Sequence, residues 1–401
     1  MKRYMTIYLK NFDYLLFFTY IFLCLFGLVM IYSASMMVGI IQEDGTPDYF
    51  YRKQVINLIV GALAFCVGAF FPYKHYSNKF VMLIGMIIMI ILLLWVNFAG
   101  IGKEDTGSQS WINLFGMSFQ PSEFAKLFIV LYIGGSFYRK SLKEKSIQYV
   151  KPNDIGYPIA VWLIILLSVG LETDLGAFII IFMIAISVVF LSGIRGKSLF
   201  RFFTLLSVFG GVLGGALALF KYDSIFNVSR LGRFQAWTNP FEYQQGSGYQ
   251  IINGYLAIGQ GGLEGVGLGQ SVQKLGYLPE PQNDFIMAII AEELGVVGVL
   301  IVLIGIGIIV LRSFYIAMTT KDPLARMIAG GIGSWIGFQT FVNLGGVSGL
   351  IPLTGVTLPF ISYGGTSILM LSLAMGILIN VSMYYKREKF FHRGLKKNES
   401  N

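Results

Sequence analysis

The feature that most constrains this chain is a succession of apolar runs, each about long enough to cross a lipid bilayer. A membrane-spanning helix takes about 20 predominantly apolar residues. Runs of that kind occur near 14–38, 54–71, 79–98, 122–138, 155–171, 175–192, 199–220, 286–311, 327–346 and 363–384, ten in all. Only Glu172, Thr173 and Asp174 separate 155–171 from 175–192, which predicts a tight helical hairpin. The first run is too long for the apolar part of a removable signal peptide and lacks a small-residue cleavage site. Charged residues make up 13% of the chain, against about 25% in soluble domains. The expected architecture is an all-α polytopic membrane protein with about ten transmembrane helices, a single integral membrane domain over 1–401.

Orientation follows from Lys and Arg, which accumulate in cytoplasmic loops. With a cytoplasmic N-terminus, the inside segments hold 22 of these residues and the outside segments 7. Both termini are therefore expected inside, and the net charge of +9 reflects topology, not a nucleic-acid surface. Segment 221–285 becomes a large extracellular loop between helices 7 and 8. Long irregular connections in compact proteins are usually functional. Residues 386–401 form a basic cytoplasmic tail, solvated or lying against lipid headgroups. Cys24 and Cys66 sit in apolar runs and read as core residues without a disulfide. His75 and His392 lack any Cys/His spacing that would build a metal site.

Four stretches carry candidate chemistry. In Gln120-Pro121-Ser122-Glu123-Phe124-Ala125-Lys126, the proline suits a first helical turn. Glu123 and Lys126 are then i,i+3 neighbours on one face. Intramembrane charges of opposite sign are normally paired toward the bundle interior. The plain reading is a salt bridge that only holds helices. The functional one is a polar site near the outer surface, with Lys126 meeting an anionic substrate group. In Leu278 to Ile286, Pro279 and Pro281 hold an extended segment, and Asn283 or Asp284 reads as the N-cap of the next helix. Alternatively Asp284 is a carboxylate at the membrane–water boundary, placed to take a proton from a substrate hydroxyl. Glu292 and Glu293 follow two turns on, at least one of them buried and hydrogen-bonded or ion-paired.

In Ser229 to Gln250, Arg230 and Arg233 with nearby aromatics suit a phosphate or a sugar face. An ordinary solvated basic helix explains them equally well. The glycines at 259, 261, 262, 265, 267 and 269 fit neither a phosphate-binding loop nor a dinucleotide fingerprint, and read as turns and close packing. Finally, Pro352 to Ser367 has Tyr363 as its one ionisable side chain and reads as a broken helix beside a cavity.

Together these stretches resemble the SEDS family, in its FtsW/RodA members. The resemblance extends from Gly27-Leu28-Val29-Met30-Ile31-Tyr32-Ser33-Ala34-Ser35 to Ser362-Tyr363-Gly364-Gly365. It includes Trp111-Ile112, Asp174-Leu175-Gly176, Gly246-Ser247-Gly248-Tyr249-Gln250 and Glu292-Glu293-Leu294-Gly295. The stretch from Gly269 to Leu275, with Lys274, is more similar to the division-type FtsW branch than to the elongation-type RodA branch. Ser110 stands where relatives often carry Arg before the tryptophan, which weakens any claim for a cation there.

The resemblance implies a ten-helix SEDS-type fold and peptidoglycan glycosyltransferase activity on lipid II, a disaccharide-pentapeptide carried on undecaprenyl diphosphate. Asp284 matches the family's essential carboxylate and is the implied catalytic residue. Glu123 and Lys126 match its intramembrane polar pair. Arg230, Arg233, Lys274 and Tyr363 complete the expected substrate-binding set. The implied setting is the bacterial cell membrane at the division septum, with a class B penicillin-binding protein transpeptidase and other divisome proteins as partners. The metal ligands are unknown. A divalent cation, Mg or Mn, held partly by the diphosphate, is one candidate for stabilising the leaving group. The alternatives are a RodA-type elongation polymerase, a lipid II flippase and a scaffold without catalysis. Intramembrane charge and broken helices suit a flippase, but the chain has no clear inverted repeat.

Overall fold

The computed structural model describes the chain except for residues 1–9, 43–44, 101–109, 115–116, 144–151, 173, 195, 198, 205, 208–209, 212–227, 245 and 399–401. In chain order it forms α1 (Tyr14–Gln42), α2 (Tyr49–Phe70), α3 (Lys79–Ala99), a hairpin of β1 (Ile112–Leu114) and β2 (Met117–Phe119), α4 (Pro121–Lys143), α5 (Pro152–Leu171) and α6 (Leu175–Leu191). There follow α7 (Val228–Thr238), α8 (Ser247–Gly261), α9 (Ile286–Thr319), α10 (Pro323–Val347) and α11 (Gly365–Asn398). Nine of the ten expected spans are present as helices. The tenth, 199–220, lies largely outside the described residues, with 199–204 helical.

Five described helices, within α1, α2, α3, α9 and α11, are long and apolar enough to cross a bilayer. The outer ones leave rows of large apolar side chains uncovered: Phe18, Phe22 and Leu25 on α1, Ile87, Ile91 and Leu94 on α3. An apolar belt of this extent belongs against lipid. The Cys66 side chain is on such an exposed face, while Cys24 is buried. The expectation that both are core residues therefore holds for Cys24 alone. By contrast, α4 and α10 are enclosed by their neighbours and bury polar side chains, among them Glu123 and Lys126 on α4 and Gln339 and Asn343 on α10. Helices shielded from lipid tolerate polar groups that lipid-facing ones do not.

The bundle has two distinct ends. At one, buried Asp13 accepts from Arg312 Nε at 3.1 Å and Nη2 at 3.0 Å and from Ser382 Oγ at 3.3 Å. Lys386 Nζ lies 3.4 Å from the same carboxylate and donates to Phe12 O at 3.1 Å. This cluster ties α1, α9 and α11 together. The expected tail from 386 thus begins as helix: α11 continues through Asn398. The opposite end carries residues 228–285, which are not one irregular loop. Most of the stretch is α7, α8 and a short 3-10 turn, Pro240–Tyr243. Trp237 Nε1 donates to Gly349 O at 2.8 Å and docks α7 onto the end of α10.

The expected continuous span at 286–311 is broken. Within α9, Gly295 has φ 62 and ψ −158, a backbone conformation that only glycine adopts easily. The break frees the carbonyls of Glu292 and Glu293, and Val266 N and Gly267 N donate to them at 2.9 and 3.0 Å. Val296 N donates in turn to Gly262 O at 3.1 Å. At membrane depth a backbone interruption persists only where the protein itself supplies such partners. The glycine-rich stretch after α8 is that partner, in keeping with its reading as turns and close packing.

Helix α11 lies along α2 at backbone contact. A Cβ at Gly68 would come 2.5 Å from Leu373 O, and one at Gly376 would come 2.2 Å from Phe65 O. Small residues allow this approach between membrane helices. Gly68→Ala is therefore expected to separate α2 from α11 and destabilise the bundle by about 1–3 kcal/mol. Gly307→Ala, where a Cβ meets nothing within 4 Å, is expected to be neutral or slightly stabilising. Thermal unfolding of both variants in one detergent checks this, and equal melting temperatures would refute it.

Candidate functional site

The site is built on one face of α10. Gln339 and Asn343 are four residues apart and so stack one helical turn from each other. Gln339 Oε1 accepts from Lys126 Nζ at 2.9 Å and from Trp335 Nε1 at 2.7 Å, and its Nε2 donates to Thr357 O at 3.0 Å. Asn343 Nδ2 donates to Asp284 O and to Val356 O, both at 2.8 Å. These amides grip consecutive residues, 356 and 357, of the irregular segment between α10 and α11.

The expected Glu123–Lys126 pair is present. Lys126 Nζ is 2.6 Å from Glu123 Oε1, and both residues are buried. The second carboxylate oxygen, Oε2, has no partner. The Lys126 ammonium also lies 5.8 Å from the centre of the Trp335 ring. It is thus enclosed by α4 and α10 and already neutralised.

Asp284 is half-buried and borders a shallow depression with Asn343, Leu353, Thr354, Gly355 and Val356. The expected N-cap role of Asn283 or Asp284 does not hold. The cap position falls on Phe285, which makes no side-chain cap. Asn283 Nδ2 donates instead to Glu280 Oε2 at 2.6 Å. The phenyl ring at 285 packs where α8 is bare at Gly254, and that contact sets where the helix begins. Tyr363 is near in the fold: its N–H donates to Gln282 O at 2.9 Å, and its ring meets Phe50 edge-on.

Glu292 and Glu293 are both fully buried. Glu292 accepts from Val272 N at 2.8 Å and from the Ser271 hydroxyl. Glu293 pairs with Lys274 Nζ at 2.7 Å and accepts from Ser33 Oγ at 2.7 Å. Lys274 is itself 3% exposed, so this network joins α1, the stretch before α9 and α9 itself. Arg230 and Arg233 are on α7, but their side chains lie outside the described residues.

A second pair of acids adjoins the start of α4. Asp174 caps α6 by accepting from Ala177 N at 2.9 Å, and its other oxygen accepts from Gln120 Nε2 at 2.8 Å. Glu172, two residues earlier, is 4% exposed, and neither carboxylate oxygen has a partner. Burial, and then the Asp174 charge, push its carboxyl up to about 8. A Cβ at Gly176 would strike Val356 Cγ2, so this turn adjoins the segment that borders Asp284. Among the described residues, no group of three or more His, Cys, Asp or Glu side chains could hold a metal ion. A metal cage made by these side chains alone does not fit.

Sequence reasoning named Asp284, Glu123, Lys126 and Tyr363, but not Gln339, Asn343 or Glu172. The signal for the two amides was their i,i+4 spacing inside an otherwise apolar span.

Comparison with known proteins places this geometry in a family. Residues 13–387 match the FtsW/RodA/SpoVE family model, described as a cell cycle protein. The chain is 42% identical to the probable peptidoglycan glycosyltransferase FtsW of Bacillus subtilis, over 98% of this chain and 97% of that one. Among solved structures it is similar to a peptidoglycan synthase complex that coordinates polymerization and crosslinking. That similarity has a TM-score of 0.70 and 25% identity, and it covers 93% of this chain and 98% of the other. The rod shape determining protein RodA of Thermus thermophilus shares the fold at a TM-score of 0.61 and 24% identity, with 93% and 97% of the two chains covered. The helical bundle, its broken α9 and its polar face on α10 thus belong to a member of the FtsW/RodA/SpoVE family.

Proposed function

We propose that this chain is a peptidoglycan glycosyltransferase that polymerises lipid II during septal wall synthesis, with Asp284 as its general base. One observation carries the chemical assignment. Asp284 is half-buried at the bundle end that bears α7 and α8, and its backbone is held by Asn343 beside an irregular segment. That is a suitable place for a carboxylate that must meet both a sugar and water-exposed surface.

In the proposed reaction the 4-hydroxyl of the acceptor sugar attacks the anomeric carbon of the donor strand's terminal sugar, with inversion. The hydroxyl proton passes to the Asp284 carboxylate as the new glycosidic bond forms. The bond from the anomeric carbon to the diphosphate breaks, and undecaprenyl diphosphate leaves with the electron pair. One carboxylate suffices, because diphosphate needs no protonation to depart, unlike the leaving alcohol of a glycosidase. Arg230 and Arg233, on the helix anchored through Trp237, are assigned to the diphosphate. Lys126, being paired with Glu123, braces α4 against Gln339. Lys274, paired with Glu293, braces the approach to α9. Tyr363 supports Gln282, two residues before the base.

The proposed orientation puts the α7–α8 end outside and both termini in the cytoplasm, and the 22-to-7 bias of basic residues supports it. A crosslinking partner, a class B penicillin-binding protein transpeptidase, is proposed from the likeness to a complex that joins polymerization with crosslinking. A flippase draws support from the break in α9. However, the carbonyls freed there are bonded by Val266 and Gly267, which leaves them closed to a passing ion or headgroup.

Glu172 fits the same reading. Held neutral up to about pH 8, it keeps one negative charge away from a site that receives a diphosphate. The folded protein retains a proton that the unfolded chain releases above the ordinary carboxyl value of 4.5. Stability must therefore fall as pH rises from about 4.5 to about 8.

Purified protein given lipid II is expected to form glycan strands, and Asp284→Asn to lower the rate by about 10²–10⁴-fold with its melting temperature unchanged. Strand formation at the normal rate by that variant would remove Asp284 from the mechanism. In cells, depletion is expected to give filaments with failed septa. Loss of peripheral growth would instead assign the chain to elongation. Glu172→Gln is expected to melt higher than wild type, by a margin that widens from pH 5 to pH 8. A margin that stays constant across that range contradicts the assigned proton.

A further inference from the structure

Asn343 has a side chain whose two halves meet different fates. Its Nδ2 has two protons, and both are used, at 2.8 Å to Asp284 O and 2.8 Å to Val356 O. Its Oδ1 is buried and has no donor. The amide cannot be turned over to relieve this, because Oδ1 would then face two carbonyl oxygens. The orientation is fixed by its partners, and the unmet group is an acceptor. A buried acceptor without a donor costs about 1–3 kcal/mol, so native structures rarely keep one without a use. This one belongs to a residue that borders the same depression as Asp284, together with Thr354, Gly355 and Val356.

Resting on the reading of Asp284 as general base, we propose that Asn343 is a substrate-positioning residue. Its Oδ1 accepts a hydrogen bond from a hydroxyl of the acceptor sugar that neighbours the attacking one. The chemistry favours this partner. The attacking hydroxyl has a single proton, and that proton is committed to the Asp284 carboxylate. A sugar ring offers further hydroxyls within one or two carbons of the nucleophile, each a donor. Through Nδ2 the same amide fixes the backbone of Asp284, so one side chain sets both the base and the ring that it deprotonates. The stretch at Thr354 and Gly355 must give way for the sugar to reach Oδ1, while Val356 stays packed in the core and bonded to Asn343. Gly355 has φ +71, and a Cβ added there would meet nothing within 4 Å, so the stretch has open space beside it.

A site built to accept a substrate hydroxyl discriminates strongly against the analogue that lacks it. The test is a two-by-two comparison on the full-length protein. Wild type and Asn343→Ala are each given lipid II, and lipid II whose acceptor sugar lacks either the 3-hydroxyl or the 6-hydroxyl. For wild type, one of the two deletions is expected to lower kcat/KM for elongation by tenfold or more. In Asn343→Ala the same deletion is expected to cost less than threefold. Should that variant fail to fold, Asn343→Ser takes its place. Should both fail, wild type alone still decides, since elongation of both analogues at the full rate would overturn the proposal. A penalty of equal size in wild type and variant would overturn it too. Wild type that forms no strand from intact lipid II, or Asp284→Asn that forms strands normally, refutes the underlying function instead.

Discussion

Two amide side chains on one turn of α10 hold the functional end of this protein together. Gln339 joins Lys126 to Thr357 O, and Asn343 joins Asp284 O to Val356 O. The segment they grip is irregular and lies between membrane helices, where unmet backbone carbonyls cost several kcal/mol each. Neutral amides suit the task. Each offers donors to carbonyls and an acceptor in a fixed plane, without the desolvation cost of a charge. Through them the polar pair on α4 and the carboxylate before α9 become parts of one construction, although 158 to 161 positions of sequence separate them.

The buried ion pairs have a different purpose from stabilising the bundle. Taking a lysine and a glutamate out of water costs several kcal/mol per ion, and their attraction often does no more than offset this. Lys126–Glu123 and Lys274–Glu293 are each enclosed, so neither is a solvent-screened surface contact. What they supply is direction. Lys126 must point at Gln339 to complete its hydrogen bonds. Lys274 must reach both Glu293 and Ser33. Each pair thereby fixes the register between elements that apolar packing alone would leave free to slide, and the elements so fixed are the ones that flank Asp284.

Much of the architecture was legible because membrane spans are written in length and hydropathy. The short turn at Glu172–Asp174 located a hairpin to within a residue or two. The acid–base spacing of Glu123 and Lys126 identified a buried pair correctly. What escaped was whatever depends on contacts between distant segments. The break at Gly295 is invisible in an apolar run, since the partners that stabilise it, Gly262, Val266 and Gly267, come from another stretch. The cap at Phe285 displaced a better local candidate because Gly254 leaves room for its ring. The β1–β2 hairpin has strands of three residues, too short for alternation to register. Lys274 looked open to substrate, and only the fold reveals that Glu293 takes it.

The enclosed helices α4 and α10 brace the proposed base, and the reason that polar side chains gather there is physical. A helix that faces lipid must be apolar around its outer side, as α3 is. A helix surrounded by protein is released from that demand, and polar side chains there persist only when each finds a partner. In α4 and α10 nearly all do. The exceptions among the described residues are Glu123 Oε2 on α4, and Arg326 Nε and Asn343 Oδ1 on α10. An unmet buried acceptor is a standing cost to stability. Of these three atoms, Asn343 Oδ1 is the one whose residue borders Asp284, and the proposed sugar hydroxyl supplies the donor it lacks.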